Sequence, residues 1–139
     1  MIEKKYKLEE LDEFARYILE YAKECRVILL KGDLASGKTT LVRNLTKVLG
    51  LQEAVTSPTF SVQNVYGGEL YHYDIYQNGV DGFLSSGLLE ELDKEGYHVI
   101  EWADEKLEVI LKRYLIDFIT IEIEKSENSR IYKVVKCIN

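Results

Sequence analysis

The feature that most constrains this chain is residues 27–41, VILLKGDLASGKTTL, where an apolar run precedes a glycine-rich loop and a helical pattern. Gly32, Gly37, Lys38 and Thr39 complete the pattern G-x-x-x-x-G-K-[ST]. An unbroken apolar run is typical of a strand that is buried on both faces of a parallel sheet. The segment therefore predicts a strand, a phosphate-binding loop and a helix, in that order.

The residue types in this loop match the chemistry of a bound triphosphate. Glycines let successive backbone N–H groups point at phosphate oxygens, and the positive end of the following helix faces the same anion. Lys38 offers a mobile positive charge for the β- and γ-phosphates, and the Thr39 hydroxyl suits one coordination position on Mg²⁺. We therefore expect the nucleotide to contact Gly32, Asp33, Ala35, Ser36, Gly37, Lys38, Thr39 and Thr40.

Length and composition predict a single globular domain over residues 1–139. Of its 139 residues 46% are hydrophobic, and the formal net charge is -6. An acidic chain is poorly suited to hold nucleic acid by itself, so we expect any RNA connection to run through another protein. No apolar run reaches membrane-spanning length and residues 1–7 lack a signal core, which predicts a cytoplasmic protein with no membrane contact. Cys25 and Cys137 are too few for a disulfide framework or a metal site.

Apolar periodicity predicts the remaining elements. Helices are expected over residues 8–23, 88–92 and 103–111, with a loop over 78–87. Strands are expected over residues 61–66 and 69–76, joined by Gly67 and Gly68 as a hairpin, and over 98–102. A further strand over 117–124, with one buried face, should lead through a turn at 126–129 into a last strand over 130–138.

Two carboxylates, Asp74 and Glu101, stand at the ends of predicted strands, where α/β folds bind their ligands. Magnesium, a lysine or a turn N–H would each offset the cost of leaving Asp74 unpaired. Glu101 either positions a metal ion or water, or forms a salt bridge. We expect His72 to be a hydrogen-bonded member of an aromatic cluster rather than a catalyst, and His98 to be structural.

Residues 57–60, SPTF, contain the only proline of the chain. Pro58 fixes its own φ and pushes Ser57 toward an extended conformation, which makes this a stiff loop. A loop at this position after the phosphate helix is either a nucleotide-sensing switch or a plain connection, and spacing alone does not separate the two.

Together these residues indicate a magnesium-dependent nucleoside triphosphatase. No N/T-K-x-D segment follows a strand, so the guanine-reading motif is missing and ATP is favoured. Residues 6–8 could form one wall of a base pocket, and Trp102 belongs either to the core or to the nucleotide site. A small-molecule kinase and a nucleotide-gated binding module remain alternatives, although the arginines show none of the clustering that a kinase lid requires.

Four segments closely resemble the bacterial TsaE (formerly YjeE) ATPase family: GDLASGKTT at 32–40, SPTF at 57–60, LYHYDIY at 70–76 and IEW at 100–102. The resemblance covers nearly the whole chain. It implies an α/β, P-loop NTPase-like three-layer fold with a mixed parallel and antiparallel sheet. It also implies ATP or ADP and Mg²⁺ as cofactors, and TsaB and TsaD as partners in making threonylcarbamoyladenosine in tRNA. In that family ATP hydrolysis keeps the complex turning over, while TsaD carries out the carbamoyl transfer.

The same resemblance assigns roles by position. Thr39 and Glu101 become magnesium ligands and Asp74 the Walker-B-like carboxylate, which holds a water on the metal or orients the attacking one. The two carboxylates could exchange these roles, and Lys38 completes the catalytic set. The nucleotide contacts are extended by Thr59 of the switch loop, Trp102 near the nucleotide and Arg130 beside the base.

Three positions depart from the family pattern. Ala35 stands where the family usually has a third loop glycine, so the backbone there should avoid positive φ or accept modest strain. Gln77 replaces a frequent arginine and puts a charge contact from that site in doubt. The usual acidic cluster before Gly87 is thinned to Asp81. No arginine finger is evident, so we expect the isolated chain to hydrolyse ATP slowly and a partner to complete the site.

Overall fold

The chain folds into one mixed β-sheet with helices on both faces. The computed structural model describes residues 1–33, 35–51, 55 and 63–138. Within these ranges the strands are β1 (Ile2–Tyr6), β2 (Val27–Lys31), β3 (Gln63–Tyr66), β4 (Leu70–Asp74), β5 (Tyr97–Glu101), β6 (Phe118–Ser126) and β7 (Ser129–Cys137). The helices are α1 (Leu11–Tyr21), α2 (Lys38–Val48), α3 (Gly79–Ser85), α4 (Leu88–Glu91) and α5 (Glu105–Arg113), and a 3-10 turn, Leu8–Glu10, precedes α1.

The strand order β1-β7-β6-β2-β5-β4-β3 places the phosphate-loop strand inside the sheet. Strands β6, β2, β5 and β4 run parallel to one another, whereas β1, β7 and β3 pair with their neighbours in antiparallel fashion. The carboxyl ends of β2, β4 and β5 therefore meet at one edge. There Glu101 lies opposite Leu30 on one side and Asp74 on the other.

Residues of β2 alternate between two apolar layers, as a period of two requires. Ile28 and Leu30 pack with residues of α1 and α2, whereas Val27 and Leu29 pack with residues of α3, α4 and α5. Each fully buried Leu or Ile side chain contributes about 1.5–3 kcal/mol to folding. The predicted three-layer α/β architecture with a mixed sheet is confirmed.

Helix α1 is amphipathic as its spacing predicts, but it begins at Leu11 rather than at Leu8. Phe14 and Ile18 are fully buried, which fits the predicted stripe. Leu8 is 69% exposed, so its predicted place in that stripe is wrong. The reason is that residues 8–10 form a 3-10 turn, whose shorter period takes Leu8 out of line with the α-helical positions.

Strands β3 and β4 form the predicted hairpin. Gly67 and Gly68 have φ values of 57° and 65°, a left-handed conformation that glycine adopts without a steric penalty. Two residues of the predicted first strand, Ser61 and Val62, lie outside the described residues. The segment 57–60, with its predicted switch role, lies outside them as well.

Two elements were not predicted from the sequence. Strand β1 pairs with β7, and its alternation is hard to recognise because charged residues interrupt it. Helix α3 occupies a segment that was predicted to be a loop. Gly79 and Gly82 lower its helix propensity, but Val80 and Phe83 are buried against the sheet and stabilise the helix through packing.

The prediction of a single buried face on β6 is wrong for the first half of that strand. Phe118 and Thr120 are buried, as are Ile119 and Ile121 on the other face. This half of β6 pairs with β2 and has apolar layers on both sides. Thr120 is accommodated because its hydroxyl donates to Glu108 Oε2 of α5 at 3.0 Å.

Candidate nucleotide and metal site

The phosphate loop has the backbone geometry that its glycines predict. Gly32 has a φ of 154°, and a Cβ built on it would lie 2.5 Å from Ser36 Oγ and 2.9 Å from the carbonyl oxygen of Ile123. Gly37, which immediately precedes α2, has a φ of 112°. Neither position would accept a side chain without strain, so the tight loop depends on both glycines.

Ala35 adopts the strained alternative. Its φ is 60°, which lies in the left-handed region that L-residues avoid. The loop therefore retains the turn expected of a glycine although alanine occupies the position. This strain costs about 1–2 kcal/mol.

The Lys38 ammonium group is held inside the loop. Only 4% of the residue is exposed, and Nζ donates to the carbonyl oxygens of Gly32 at 2.7 Å and Asp33 at 2.9 Å. Burial lowers the pKa of Lys38, while the nearby carboxylates of Glu101 and Asp74 oppose that shift. A buried cation beside the N-terminus of α2 favours the binding of an anion at the phosphate loop.

A carboxylate from β5 meets the loop at the first turn of α2. The Thr39 hydroxyl donates to the Glu101 carboxylate, with Oγ1 lying 3.2 Å from Oε1 and 3.1 Å from Oε2. Glu101 is 2% exposed, and its Oε2 also contacts His72 Nε2. Asp74, next to Glu101 in the register, accepts a hydrogen bond from the Tyr76 N–H at 2.9 Å. The sequence left magnesium, a lysine or a turn N–H as partners for Asp74, and the structure shows the turn N–H.

The donor set fits a hard cation that is shared with a phosphate ligand. Within the described ranges, no three His, Cys, Asp or Glu residues are grouped so as to hold a metal by themselves. Mg²⁺ commonly uses one or two carboxylates together with substrate phosphates and water. The Thr39 hydroxyl and the Glu101 carboxylate, in mutual contact beside the phosphate loop, match that requirement.

Most of the predicted site residues line one cavity of about 440 Å³. They are Ala35, Ser36, Gly37, Lys38, Thr39, Thr40, Asp74, Glu101, Trp102 and Arg130, and Tyr76 joins them. Gly32 and Asp33 instead line a neighbouring cavity of about 790 Å³, which shares Ser36 and Trp102 with the first. Thr59 lies outside the described residues.

A further cavity of about 240 Å³ opens beside the loop and shares Gly37, Thr40 and Arg130 with the first. Tyr6 and Leu8 line it. A base-pocket wall over residues 6–8 stays a prediction. The Arg130 side chain links the β6–β7 hairpin to the loop, because its Nε donates to the Ser36 carbonyl at 3.0 Å. The cavity of about 240 Å³ therefore adjoins the first cavity at the N-terminus of α2.

Similarity to a known protein family extends over most of the chain. The family model for the threonylcarbamoyl adenosine biosynthesis protein TsaE matches residues 6–132. The chain belongs to the TsaE family.

Relatives of this TsaE family member from several bacteria share its sequence over different lengths. The tRNA threonylcarbamoyladenosine biosynthesis protein TsaE of Aquifex aeolicus is 35% identical over 132 residues, which cover 90% of each chain. The protein of the same name from Bacillus subtilis is 34% identical over 116 residues, or 76% of this chain and 73% of the relative. The alignment with the Treponema pallidum protein is 43% identical over 84 residues but spans only 62% of that relative.

The fold of this TsaE family member also matches a solved structure. The crystal structure of Bacillus subtilis YdiB aligns with a TM-score of 0.65 and 22% identity, covering 99% of this chain and 87% of that one. At this identity the match supports the fold alone. In the described part of this TsaE chain, no helix has the length and apolar character needed to cross a membrane.

The two histidines of this TsaE family member have different surroundings. His98 is structural as predicted, since its Nδ1 lies 2.7 Å from the Tyr73 hydroxyl and its Nε2 lies 2.8 Å from the Lys94 carbonyl. His72 lies near the Tyr66 ring, as an aromatic-cluster member should, but its Nε2 contacts Glu101. Sequence reasoning missed that contact, and the only available signal was its position two residues before Asp74 on the same strand face.

Proposed function

We propose that this TsaE family member binds ATP and ADP with Mg²⁺ and hydrolyses ATP slowly, in support of threonylcarbamoyladenosine modification of tRNA. The observation that carries the proposal is the convergence of Lys38 and Thr39 with two strand-end carboxylates, Asp74 and Glu101, on one cavity beside the N-terminus of α2. A cation, a hydroxyl and two carboxylates around an anion-binding loop suit a magnesium nucleotide. TsaB and TsaD are the proposed partners, on the strength of the family resemblance.

In this proposal each side chain has a separate task. Lys38 leaves the carbonyls of its own loop and binds the β- and γ-phosphates together with the loop amides. Thr39 and Glu101 hold Mg²⁺, which when bound would neutralise phosphate charge. Asp74 orients the attacking water, because its carboxylate lies on the cavity beside Glu101 and is already aligned by the Tyr76 N–H.

The nucleoside would occupy the cavity of about 240 Å³, between the 3-10 turn and the β6–β7 hairpin. Tyr6 and Leu8 offer apolar contact area there, and Arg130 borders both cavities. The cavity of about 240 Å³ joins the phosphate site through Gly37 and Thr40. This arrangement supports a base that is held mainly by packing, in keeping with the missing guanine-reading motif.

We expect slow hydrolysis by the chain alone because few positively charged side chains can reach the phosphates. Within the described residues, Arg130 is the one arginine that lines the cavity of about 440 Å³. Its Nε and Nη1 donate to the carbonyls of Ser36 and Ser129. Arginines that act in phosphoryl transfer contact the transferred group directly and accelerate the reaction by about 10³–10⁵-fold. We therefore propose that a partner completes the site.

Calorimetric titration with Mg-ADP and Mg-ATP tests whether the phosphate loop binds nucleotide. Lys38→Ala should abolish binding, because the side chain that pairs with the phosphates is lost. Lys47→Ala is the matched control on the same helix: its side chain is 70% exposed and pairs with Asp12, so binding should stay unchanged. Tight Mg-ATP binding by Lys38→Ala would overturn the proposed site.

The metal role of Glu101 has its own test. Glu101→Ala should raise the magnesium concentration that is needed for ATP binding. It should weaken ADP binding without metal by a smaller factor. An unchanged magnesium titration would remove Glu101 from the ligand set.

Phosphate release, measured for the chain alone and with TsaB and TsaD present, tests the enzymatic part. We expect slow release alone and faster release with the partners. Tight nucleotide binding without release under either condition would instead indicate a nucleotide-gated binding module.

A further inference from the structure

The His72 side chain is a buried polar group that the proposed mechanism does not use. It lies on β4, is 0% exposed, and its Nε2 contacts Oε2 of Glu101 on the neighbouring strand. The same carboxylate accepts a hydrogen bond from the hydroxyl of Thr39, which lies on α2. Glu101 is therefore held from two sides by residues that are far apart in the sequence.

The chemistry of the two groups sets the direction of this hydrogen bond. An ionised carboxylate only accepts hydrogen bonds, so Nε2 is the donor. Both groups are buried, Glu101 at 2% exposed and His72 at 0%, so the contact is shielded from solvent.

We propose that His72 is a positioning residue: its Nε2–H holds the Glu101 carboxylate in the orientation that binds Mg²⁺ beside Thr39. This inference rests on the proposed function. A glutamate side chain at a strand end has several rotatable bonds, and a fixed donor removes that freedom before the metal arrives. The imidazole can serve as the fixed point because it is fully buried in the sheet and packs near the Tyr66 ring, at a centroid distance of 6.2 Å.

Residues that orient metal ligands typically change metal affinity by about 10–100-fold when they are replaced. A merely structural histidine would instead change stability and leave the magnesium titration unchanged. The two roles are therefore separable by experiment. The natural comparison is between two amides, because glutamine places its amide nitrogen near the position of Nε2, whereas asparagine places it near Nδ1.

The first test is the tautomer of His72 in the wild-type protein, read from the nitrogen resonances of the labelled imidazoles. The chain has only two histidines, and the His72→Gln spectrum identifies the set that disappears. We expect a proton on Nε2. A proton on Nδ1 with a bare Nε2 would overturn the inference, since Nε2 could not then donate to Glu101. This measurement needs neither nucleotide nor metal.

The second test is the magnesium dependence of nucleotide binding in the His72→Asn and His72→Gln variants. His72→Asn should raise the half-saturating magnesium concentration about 10–100-fold, whereas His72→Gln should stay within about threefold of the wild type. Nucleotide affinity in EDTA should be the same in all three proteins. A wild-type titration for His72→Asn, or an equal loss in both variants, would overturn the inference.

These outcomes separate the inference from the function on which it rests. If the wild-type protein showed no magnesium-dependent nucleotide binding, the proposed function would fail, and the tautomer measurement would still decide whether His72 donates to Glu101. If His72→Asn did not fold, the wild-type tautomer together with the titration of His72→Gln would decide. A magnesium requirement raised tenfold or more in a folded His72→Gln protein would then count against the positioning role.

Discussion

Lys38 Nζ lies 3.8 Å from the centroid of the Trp102 ring, within the range of a cation–π interaction. Trp102 reaches this position with a φ of 66°, a left-handed conformation that costs a non-glycine residue about 1–3 kcal/mol. Its ring also lies 4.5 Å from that of Tyr76. Trp102, immediately after Glu101, therefore packs its indole ring against the ammonium group of Lys38.

Nucleotide binding should change the fluorescence of Trp102, because Lys38 must leave the indole face and the loop carbonyls to reach a phosphate. Trp102 is the only tryptophan of the chain, so the tryptophan emission comes from this side chain. We expect a change in emission when ADP is added to the wild-type protein. Lys38→Met should alter the emission without nucleotide and abolish the response to ADP.

The matched control for that measurement is Lys47→Met, on the exposed side of the same helix. It should keep both the starting emission and the response to ADP. An ADP response of wild-type size in a Lys38→Met protein would show that the contact does not couple Lys38 to the indole.

Gly32→Ala should destabilise the protein more than Gly50→Ala does. Both positions have positive φ, but a Cβ at Gly32 would lie 2.5 Å from Ser36 Oγ, whereas a Cβ at Gly50 would meet nothing within 4 Å. Gly50→Ala should cost about 1–2 kcal/mol for the backbone conformation alone. Gly32→Ala should cost roughly 1–3 kcal/mol more, because overpacking is added. Urea unfolding measures both, and equal losses would show that the loop relaxes around the methyl group.

Ala35→Gly should stabilise the protein. Glycine removes the strain of the left-handed conformation, about 1–2 kcal/mol, and gives back about 0.4–1 kcal/mol through the greater freedom of the unfolded chain. The midpoints of these ranges give a net gain of about 0.8 kcal/mol in the free energy of unfolding, again measured with urea. Ala15→Gly, in the interior of α1, should lower stability instead. A loss of similar size from Ala35→Gly would contradict the strain at that position.

Stability should fall as the pH drops below about 6.5, in part because of His98. Burial lowers the pKa of His98 from its ordinary value of 6.5. Below pH 6.5 the unfolded chain therefore binds a proton that the folded protein excludes, and the free energy of unfolding decreases. The contribution of one such group has a limiting slope of about 1.4 kcal/mol per pH unit, and it ends once the folded His98 also becomes protonated.

The His98→Gln variant isolates that contribution. Its amide can still donate to the Lys94 carbonyl but does not titrate, so its stability should depend less steeply on pH between 7 and 5. Other titrating groups are common to both proteins and cancel in the difference. Urea unfolding across this range measures the two slopes, and parallel curves would rule out His98 as a source.

Local patterns predicted the phosphate loop, its strand and helix, the β3–β4 hairpin and the two strand-end carboxylates. Each depends on residue types within a few positions, such as the glycines that a tight turn requires. Helix α3 was missed because Gly79 and Gly82 conceal it locally, and only the packing of Phe83 reveals why it forms. Leu8 was misplaced because a 3-10 turn breaks the helical spacing.

The sequence by itself determined that this chain has a phosphate-binding loop, two acidic strand ends and membership in a recognisable family, because those properties reside in short runs and their order. Only the tertiary structure decided which side chains meet. The contact of Thr39 with Glu101 spans 62 positions and that of His72 with Glu101 spans 29. Such contacts follow from strand order and register, and no local pattern of residues encodes them.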